Sequence, residues 1–386
     1  MFDFSKVKAF VDEKIIKEKG MPSFDLMVMK ENKLLYRHMA GYFDYEKEVP
    51  IHEKALYYMY SCTKPLTVSV ALRLYEEGKL DLEEKVETYL PEYKNIYLNI
   101  NGEKVKPQRD LKVKHLFTMS GGFTYDWTNP LIKEHIDLKP MASTVEIANL
   151  FASLPLIFEP GERFEYSLCH DILAAVVEAI AKKPFREYVK EILFDPIGMN
   201  DSFFHITEEL KPRLAAKYNN KRENMEAPFK VVPIENVNHM ILGENYDSGG
   251  AGLICTLSDY AKFAETLANG GVAPNGYRFL KEETIALLTK DWLKEICKDS
   301  SFGCTCGSKG YSYGLGVRVK TGEDGRNIPV GEFGWDGACG SYISVDVKNK
   351  TAIVMAMHVL SWNLTIMEDR NDLAEILYEA VNKNKQ

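Results

Sequence analysis

Tyr60-Ser61-Cys62-Thr63-Lys64-Pro65 runs straight into the apolar stretch Leu66-Thr67-Val68-Ser69-Val70-Ala71-Leu72. The apolar residues fall nearly all round and continue to Leu74, which predicts a helix buried inside a large protein. Ser61 and Lys64 stand three apart at its opening, so they share one face and the amine can reach the hydroxyl. The unpaired N–H groups of a helix start and the positive end of its dipole favour negative charge developing there. A serine hydroxyl is a poor nucleophile until a neighbouring base takes its proton. A lysine beside it is a candidate for that work.

The spacing alone carries little, because about one or two such matches arise by chance in a chain of this length. A second one exists, Ser5-Lys6-Val7-Lys8, within the amphipathic stretch of Phe4, Val7, Phe10, Val11 and Ile15. There Ser5 is expected to be a helix N-cap and the lysines to be solvated. What sets Ser61 apart is the buried helix behind it.

Further out, strand-like runs over 24–29 and 33–41 flank Glu31-Asn32 and predict a hairpin. From 79 to 250 the pattern is helical and loop-rich, with helices expected over 111–119, 144–153, 171–181 and 184–193. Gly249-Gly250-Ala251-Gly252-Leu253 opens the return, followed by a helix over 258–269. Strands are then expected over 314–320, 341–347 and 351–358, and a last helix over 369–381. Strands at both ends with helices between predict an α+β fold. One antiparallel sheet, flanked by terminal helices, is expected from 1–78 and 251–386, with a mostly helical domain inserted at 79–250.

Composition excludes several functions. The 386 residues are 45% hydrophobic and 27% charged, the balance of a soluble globular protein of about two domains. A net charge of −8 with interspersed signs leaves no basic stripe, so nucleic acid and anionic membrane are not expected partners. No run approaches the ~20 apolar residues of a membrane span, and Met1-Phe2-Asp3-Phe4-Ser5-Lys6 lacks the pattern of a signal peptide. A cytoplasmic location is the expectation. Seven scattered cysteines form no framework and read as mostly reduced thiols. The one close pair, Cys304-Thr305-Cys306, lacks a second Cys/His pair nearby and reads as a glycine-flanked loop. The eight histidines show no ligand spacing, so neither metal nor cofactor is expected. No G-x-S-x-G nucleophile elbow occurs.

A second string raises Ser61 above chance: Phe158-Glu159-Pro160-Gly161-Glu162-Arg163-Phe164-Glu165-Tyr166-Ser167-Leu168, leading into an apolar helix. Together with Ser61-Cys62-Thr63-Lys64 it resembles the serine β-lactamase and penicillin-binding-protein superfamily, most closely the class C branch and the esterases of that fold. Ile197-Gly198-Met199, Gly250-Ala251-Gly252-Leu253, Tyr313-Gly314-Leu315-Gly316-Val317 and Gly340-Ser341-Tyr342 follow in the family's order. The resemblance implies that Ser61 is the acyl-accepting nucleophile, Lys64 its proton partner and Tyr166 the base or acid above it. A neighbouring ammonium favours phenolate over phenol, so such a tyrosine can take and return a proton. Y-x-N, the family's usual form, occurs at Tyr93, Tyr97 and Tyr218, where packed tyrosines are expected instead.

The family's third element is a strand bearing Lys or His, then Thr, then Gly. Lys320-Thr321-Gly322 matches the string but precedes a turn, Glu323-Asp324-Gly325-Arg326, and reads as a decoy. Trp335-Asp336-Gly337-Ala338 is nearer the register and looks like the Trp-Gly-Gly variant of the esterase members. The resemblance then implies an oxyanion hole from the backbone N–H groups of Ser61 and Ala338. Trp335, Asp336, Gly337, Leu168, Tyr125 and His170 are expected to line the substrate pocket, with Asp336 reaching solvent or a substrate amine. Leu168 replaces the family's asparagine and Trp335 its strand cation, which removes groups that would hold a lactam or peptide.

An uncharged acyl ester, a small molecule, is therefore the expected substrate, and a carboxylesterase the expected activity. A β-lactamase, a D-amino peptidase, an acyltransferase or a non-catalytic binding protein of the same fold remain alternatives. Oligomeric state is left open.

Overall fold

The structure is a computed structural model and describes residues 2–224, 226–296, 310–361 and 367–382. Helix α1 (Ser5–Ala9) continues as a π-helical stretch over Phe10–Glu18. The hairpin follows as β1 (Ser23–Lys30) and β2 (Lys33–Asp44). Its turn has φ of 50° at Glu31 and 62° at Asn32, the paired positive φ of a two-residue loop whose twist suits the strands. A short β3 (Val49–Pro50) pairs with β2, and helix α2 (Thr63–Glu76) opens just past Ser61. Helix α3 (Cys169–Ala181) lies in the helical region, and α4 (Leu257–Ala268) starts the return, capped by the Thr256 side chain. Strands β4 (Tyr311–Tyr313), β5 (Arg318–Lys320), β6 (Phe333–Asp336), β7 (Tyr342–Asp346) and β8 (Thr351–Ala356) precede the last helix, α5 (Met367–Asn382).

The eight strands form one sheet in the order β4-β5-β6-β7-β8-β1-β2-β3, with neighbouring strands antiparallel. The first strand therefore lies beside the last, in the register Val28↔Ile353 and Leu26↔Met355. Period-two alternation sorts their side chains to two faces. Phe24, Leu26 and Val28 join Ile353 and Met355 in a core shared with Val7, Val11 and Ile15 at the N-terminus and Leu373, Leu377 and Tyr378 of α5. Met27, Ala352, Val354 and Ala356 point the other way, into the large core with α2, α3 and α4. The sheet is thus sandwiched, with its terminal helices on one face and α2, α3 and α4 on the other. This is the β-lactamase/transpeptidase-like α+β architecture expected.

Two details differ from the expected elements. Ser5 is the first helical residue, not the cap: Phe4 holds that position, and the Asp3 carboxylate accepts from the Ser5 N–H at 2.9 Å. The strand expected over 314–320 is reduced to β5 (Arg318–Lys320), because Gly314 and Gly316 turn the chain between it and the preceding β4. Gly314 donates to the Val317 carbonyl at 2.8 Å, and Gly316 sits at φ 77°.

Candidate active site

Ser61 sits in a single 3-10 turn, Tyr60–Cys62, ahead of α2. Tyr60, directly before it, has φ 46°. A side chain in that region costs about 1–3 kcal/mol and persists only when its surroundings force it. They do so here. The Thr63 hydroxyl donates to the Tyr60 carbonyl at 2.6 Å, Tyr260 donates to the Cys62 carbonyl at 2.6 Å, and Ser341 donates to the Met59 carbonyl at 2.6 Å. The turn is clamped from α2, α4 and the start of β7, and Ser61 is left half-buried at its apex.

Lys64 is 0% exposed. Its ammonium donates to Ser61 Oγ at 3.1 Å, to the Gly250 carbonyl at 2.7 Å and to Tyr125 Oη at 3.4 Å. Three acceptors match the three N–H bonds of an ammonium, and none carries a charge. The ammonium also lies 4.6 Å from the Tyr166 ring centroid and 5.4 Å from that of Tyr125, a desolvated cation over two aromatic faces. Tyr166 Oη stands 2.6 Å from Ser61 Oγ. Its ring stacks between Tyr125, at 5.2 Å and 10°, and Trp335, at 5.8 Å and 20°. Trp335 is braced edge-on by Tyr313 at 5.3 Å, and Tyr313 by Phe164 at 5.0 Å. Burial pushes the Tyr125 phenol well above its ordinary range, with the neighbouring Tyr166 hydroxyl adding to it. Tyr125 is therefore held neutral, and Tyr166 is the phenol hydrogen-bonded to Ser61 at 2.6 Å.

Strand β6 brings the rest. Gly337, just past its end, packs so tightly that a Cβ would stand 2.4 Å from the Met59 carbonyl and 2.0 Å from Ser341 Oγ, so only glycine fits. Ala338 is exposed, and its N–H has no backbone partner among the described residues. That leaves it free to donate to a substrate oxygen.

Three expected pocket residues lie elsewhere. Asp336 points to the opposite face of β6 from Trp335, as strand alternation requires, and only 14% of its side chain remains exposed. Its carboxylate takes the Arg318 guanidinium at 3.2 Å and that of Arg370 at 2.6 Å, the latter from α5. Arg318 also holds the buried Glu332 at 3.1 Å. His170 is fully buried, with Nε2 3.2 Å from the Phe117 carbonyl. Burial, then the charge of Lys64, pull it down to about 3, so it is a neutral core imidazole and not a cleft residue. Leu168 is buried in the main core at the start of α3 and offers the cleft no polar group.

The decoys are also placed. Lys320 is buried against Asp324 of its own hairpin. Tyr93 donates to the Ala148 carbonyl at 2.7 Å, and Tyr218 Oη accepts from the Tyr45 N–H at 2.9 Å. Cys62, Cys169, Cys255 and Cys339 are free and buried, while Cys304 and Cys306 lie outside the described residues. Among the described residues no cluster of His, Cys, Asp or Glu could hold a metal, and no helix is long and apolar enough to cross a membrane. Sequence reasoning missed the Gly250 carbonyl under Lys64. The signal available was Gly249-Gly250 alone, which says that backbone comes close to something without saying to what.

Comparison with known proteins places the whole chain. The sequence profile of the family described as Beta-lactamase matches residues 6–376. Esterase EstB of Burkholderia gladioli is 26% identical over 364 residues, covering 87% of this chain and 86% of its own. A provisionally named D-alanyl-D-alanine carboxypeptidase of Escherichia coli K12 is 26% identical over 367 residues, covering 87% and 78%. Among solved structures, EstCE1, described as a hydrolase with promiscuous acyltransferase activity, superposes with a TM-score of 0.78 at 22% identity, covering 98% of each chain.

Proposed function

We propose, from the fact that the chain belongs to the β-lactamase family, that it is a carboxylesterase acting on uncharged acyl esters through an acyl-enzyme on Ser61. The observation that carries the reading is the 2.6 Å contact of Tyr166 Oη with Ser61 Oγ over the buried Lys64 ammonium. As Oγ attacks the ester carbonyl, Tyr166 takes its proton, with Lys64 stabilising the phenolate form. The Ser61 and Ala338 N–H groups receive the developing oxyanion. Collapse of the tetrahedral intermediate breaks the C–O bond, and Tyr166 returns the proton to the departing alcohol. Water then repeats the sequence on the acyl-enzyme and frees the acid.

The ester preference rests on what surrounds the nucleophile. Trp335 stands where a strand cation would meet a substrate carboxylate, and the nearby cations Arg318 and Arg370 are spent on Asp336 behind the strand. The site lies where the return segment, residues 251–386, meets α2 and the segment 79–250, in keeping with an inserted helical domain that walls one side of the cleft.

The test is turnover of a short p-nitrophenyl ester beside a chromogenic cephalosporin, on wild type and Ser61→Ala. Ester turnover lost in the variant, with little lactam turnover, is the expected result. Fast cephalosporin turnover would replace the esterase by a lactamase. Silence on both in folded protein would favour a narrow acyltransferase or a binding protein.

A further inference from the structure

Lys64 is a buried ammonium whose three acceptors are all neutral, which leaves open what opposes its charge and fixes its acceptors. The answer lies one residue away. Asp171, in the first turn of α3, is 0% exposed. Its Oδ1 accepts from Tyr246 Oη at 2.8 Å, from Ser248 Oγ at 2.6 Å and from the Gly250 N–H at 3.3 Å. All three donors come from the loop 246–250, and Oδ2 has no partner. The carboxylate therefore gathers the loop around one oxygen. Gly250 faces both ways: its N–H meets Asp171 and its carbonyl meets Lys64 at 2.7 Å. A Cβ on Gly250 would stand 2.5 Å from Asp171 Oδ2, so the approach demands glycine. Next to it, the Gly249 carbonyl accepts from the Thr67 hydroxyl of α2 at 2.7 Å, which ties the loop to the helix that carries Lys64.

We infer that Asp171 is a positioning residue for the nucleophile: through Gly250 it sets the carbonyl that holds the Lys64 ammonium and supplies the opposing buried charge. The inference rests on the acyl-enzyme reading of Ser61. A buried carboxylate is costly unless something compensates it, and three donors with a cation one peptide unit beyond do so. Its field reaches the phenols of Tyr246, Tyr125 and Tyr93 and the Cys169 thiol, all of which burial first and Asp171 in part hold above their ordinary range, hence neutral. The charge of Lys64 reaches His170 on α3, next to Asp171 in the chain.

The sign of the expected effect follows. Asp171→Asn keeps the acceptor oxygen and removes the charge. Losing a negative charge favours the less protonated state of every neighbour, so the acidic limb of the activity profile moves to lower pH, by roughly half a unit to one unit. A merely structural role would lower the rate and leave the limb in place.

The experiment is the rate of Ser61 labelling by a fluorophosphonate, which needs an activated serine but no particular ester, followed from pH 5 to 9. Wild type, Asp171→Asn and Ser248→Ala are compared, with folding checked by circular dichroism. Asp171→Asn is expected to label about 10- to 100-fold more slowly, with its limb shifted acidward. Ser248→Ala, which keeps the charge and loses one donor, should label several-fold more slowly with the limb unmoved. Wild-type rate and profile in Asp171→Asn would overturn the assignment while leaving Ser61 as nucleophile. Should Asp171→Asn fail to fold, an unchanged rate in Ser248→Ala overturns it instead. A folded wild type that does not label removes the acyl-enzyme reading, and the assignment falls with it.

Discussion

The chain carries the same four-residue spacing twice, and the two copies do different things. At Ser5-Lys6-Val7-Lys8 the serine is exposed and Lys8 pairs with Asp12 in the next turn, its side chain 61% exposed. At Ser61-Cys62-Thr63-Lys64 the lysine is wholly buried, and its ammonium is shared among the serine, Tyr125 and the Gly250 carbonyl. In the first copy water and a carboxylate satisfy the lysine, so nothing presses it upon the serine. In the second no carboxylate touches it, and the serine hydroxyl is one of three acceptors it has. Chemistry at this spacing comes from the lack of alternatives for the lysine, and burial removes the alternatives.

The largest test of this contrast is on the serines. Ser61→Ala should lower ester turnover by about 10³-fold or more, since a nucleophile acts as a unit with its partners. Ser5→Ala, assayed on the same p-nitrophenyl ester, should leave kcat and KM unchanged. Comparable losses from both would break the comparison.

The lysines come next. Lys64→Met, close in volume, should cost about 10²–10⁴-fold in kcat/KM, the range of a proton-transfer partner. Lys8→Met should cost nothing in the same assay. A Lys64→Met enzyme of near wild-type rate would mean that Tyr166 needs no cation.

The contrast between buried and solvated ion pairs can be read in stability. Asp336→Ala removes the carboxylate that Arg318 and Arg370, both nearly fully buried, share, and should destabilise by about 3–5 kcal/mol in urea unfolding. Removing the exposed Lys8–Asp12 pair by Lys8→Ala should cost only about 0.3–0.5 kcal/mol. Near-equal costs would show that the network behind β6 is not the anchor its geometry suggests.

Acid sharpens the picture further. His115 is held down to about 4 and His170 and His358 to about 3, burial being the first cause in each, against an ordinary value of 6.5. Their folded values lie below the unfolded one, so the stability they contribute is complete above 6.5 and is lost as pH falls toward 3–4. Melting temperature should therefore drop across that window. His115→Gln should shallow the drop, and a melting temperature flat from pH 6.5 to 4 would contradict the neutral burial of these rings.

Much of this was legible in the sequence, with a few exceptions. The sheet built from both termini, the Glu31-Asn32 hairpin, the buried helix after Ser61 and the grouping of Ser61, Lys64, Tyr166, Tyr125 and Trp335 all follow from local patterns and from the order of short strings. Asp336 is expected in the pocket, yet strand alternation sends it away from Trp335. Its neighbours in the string suggested a pocket, and the arginines that claim it are 18 residues before and 34 after. Leu168 stands where the resembled family has an asparagine and His170 lies two residues beyond, yet the start of α3 carries both into the core. Gly314 and Gly316 turn the first half of the strand expected over 314–320 and leave only Arg318–Lys320 extended. For Asp336 and His170 the partner lies far away in the sequence, and periodicity reports only the face, not the partner.

The most direct measurement is intact-mass spectrometry of protein quenched in acid within milliseconds of mixing with p-nitrophenyl butyrate, with the adduct mapped by peptide digestion. A single butyryl adduct on the peptide bearing Ser61, absent in Ser61→Ala and lost as free acid appears, is the predicted result. Ester turnover with no adduct, or an adduct on another residue such as Cys62, would contradict an activated Ser61.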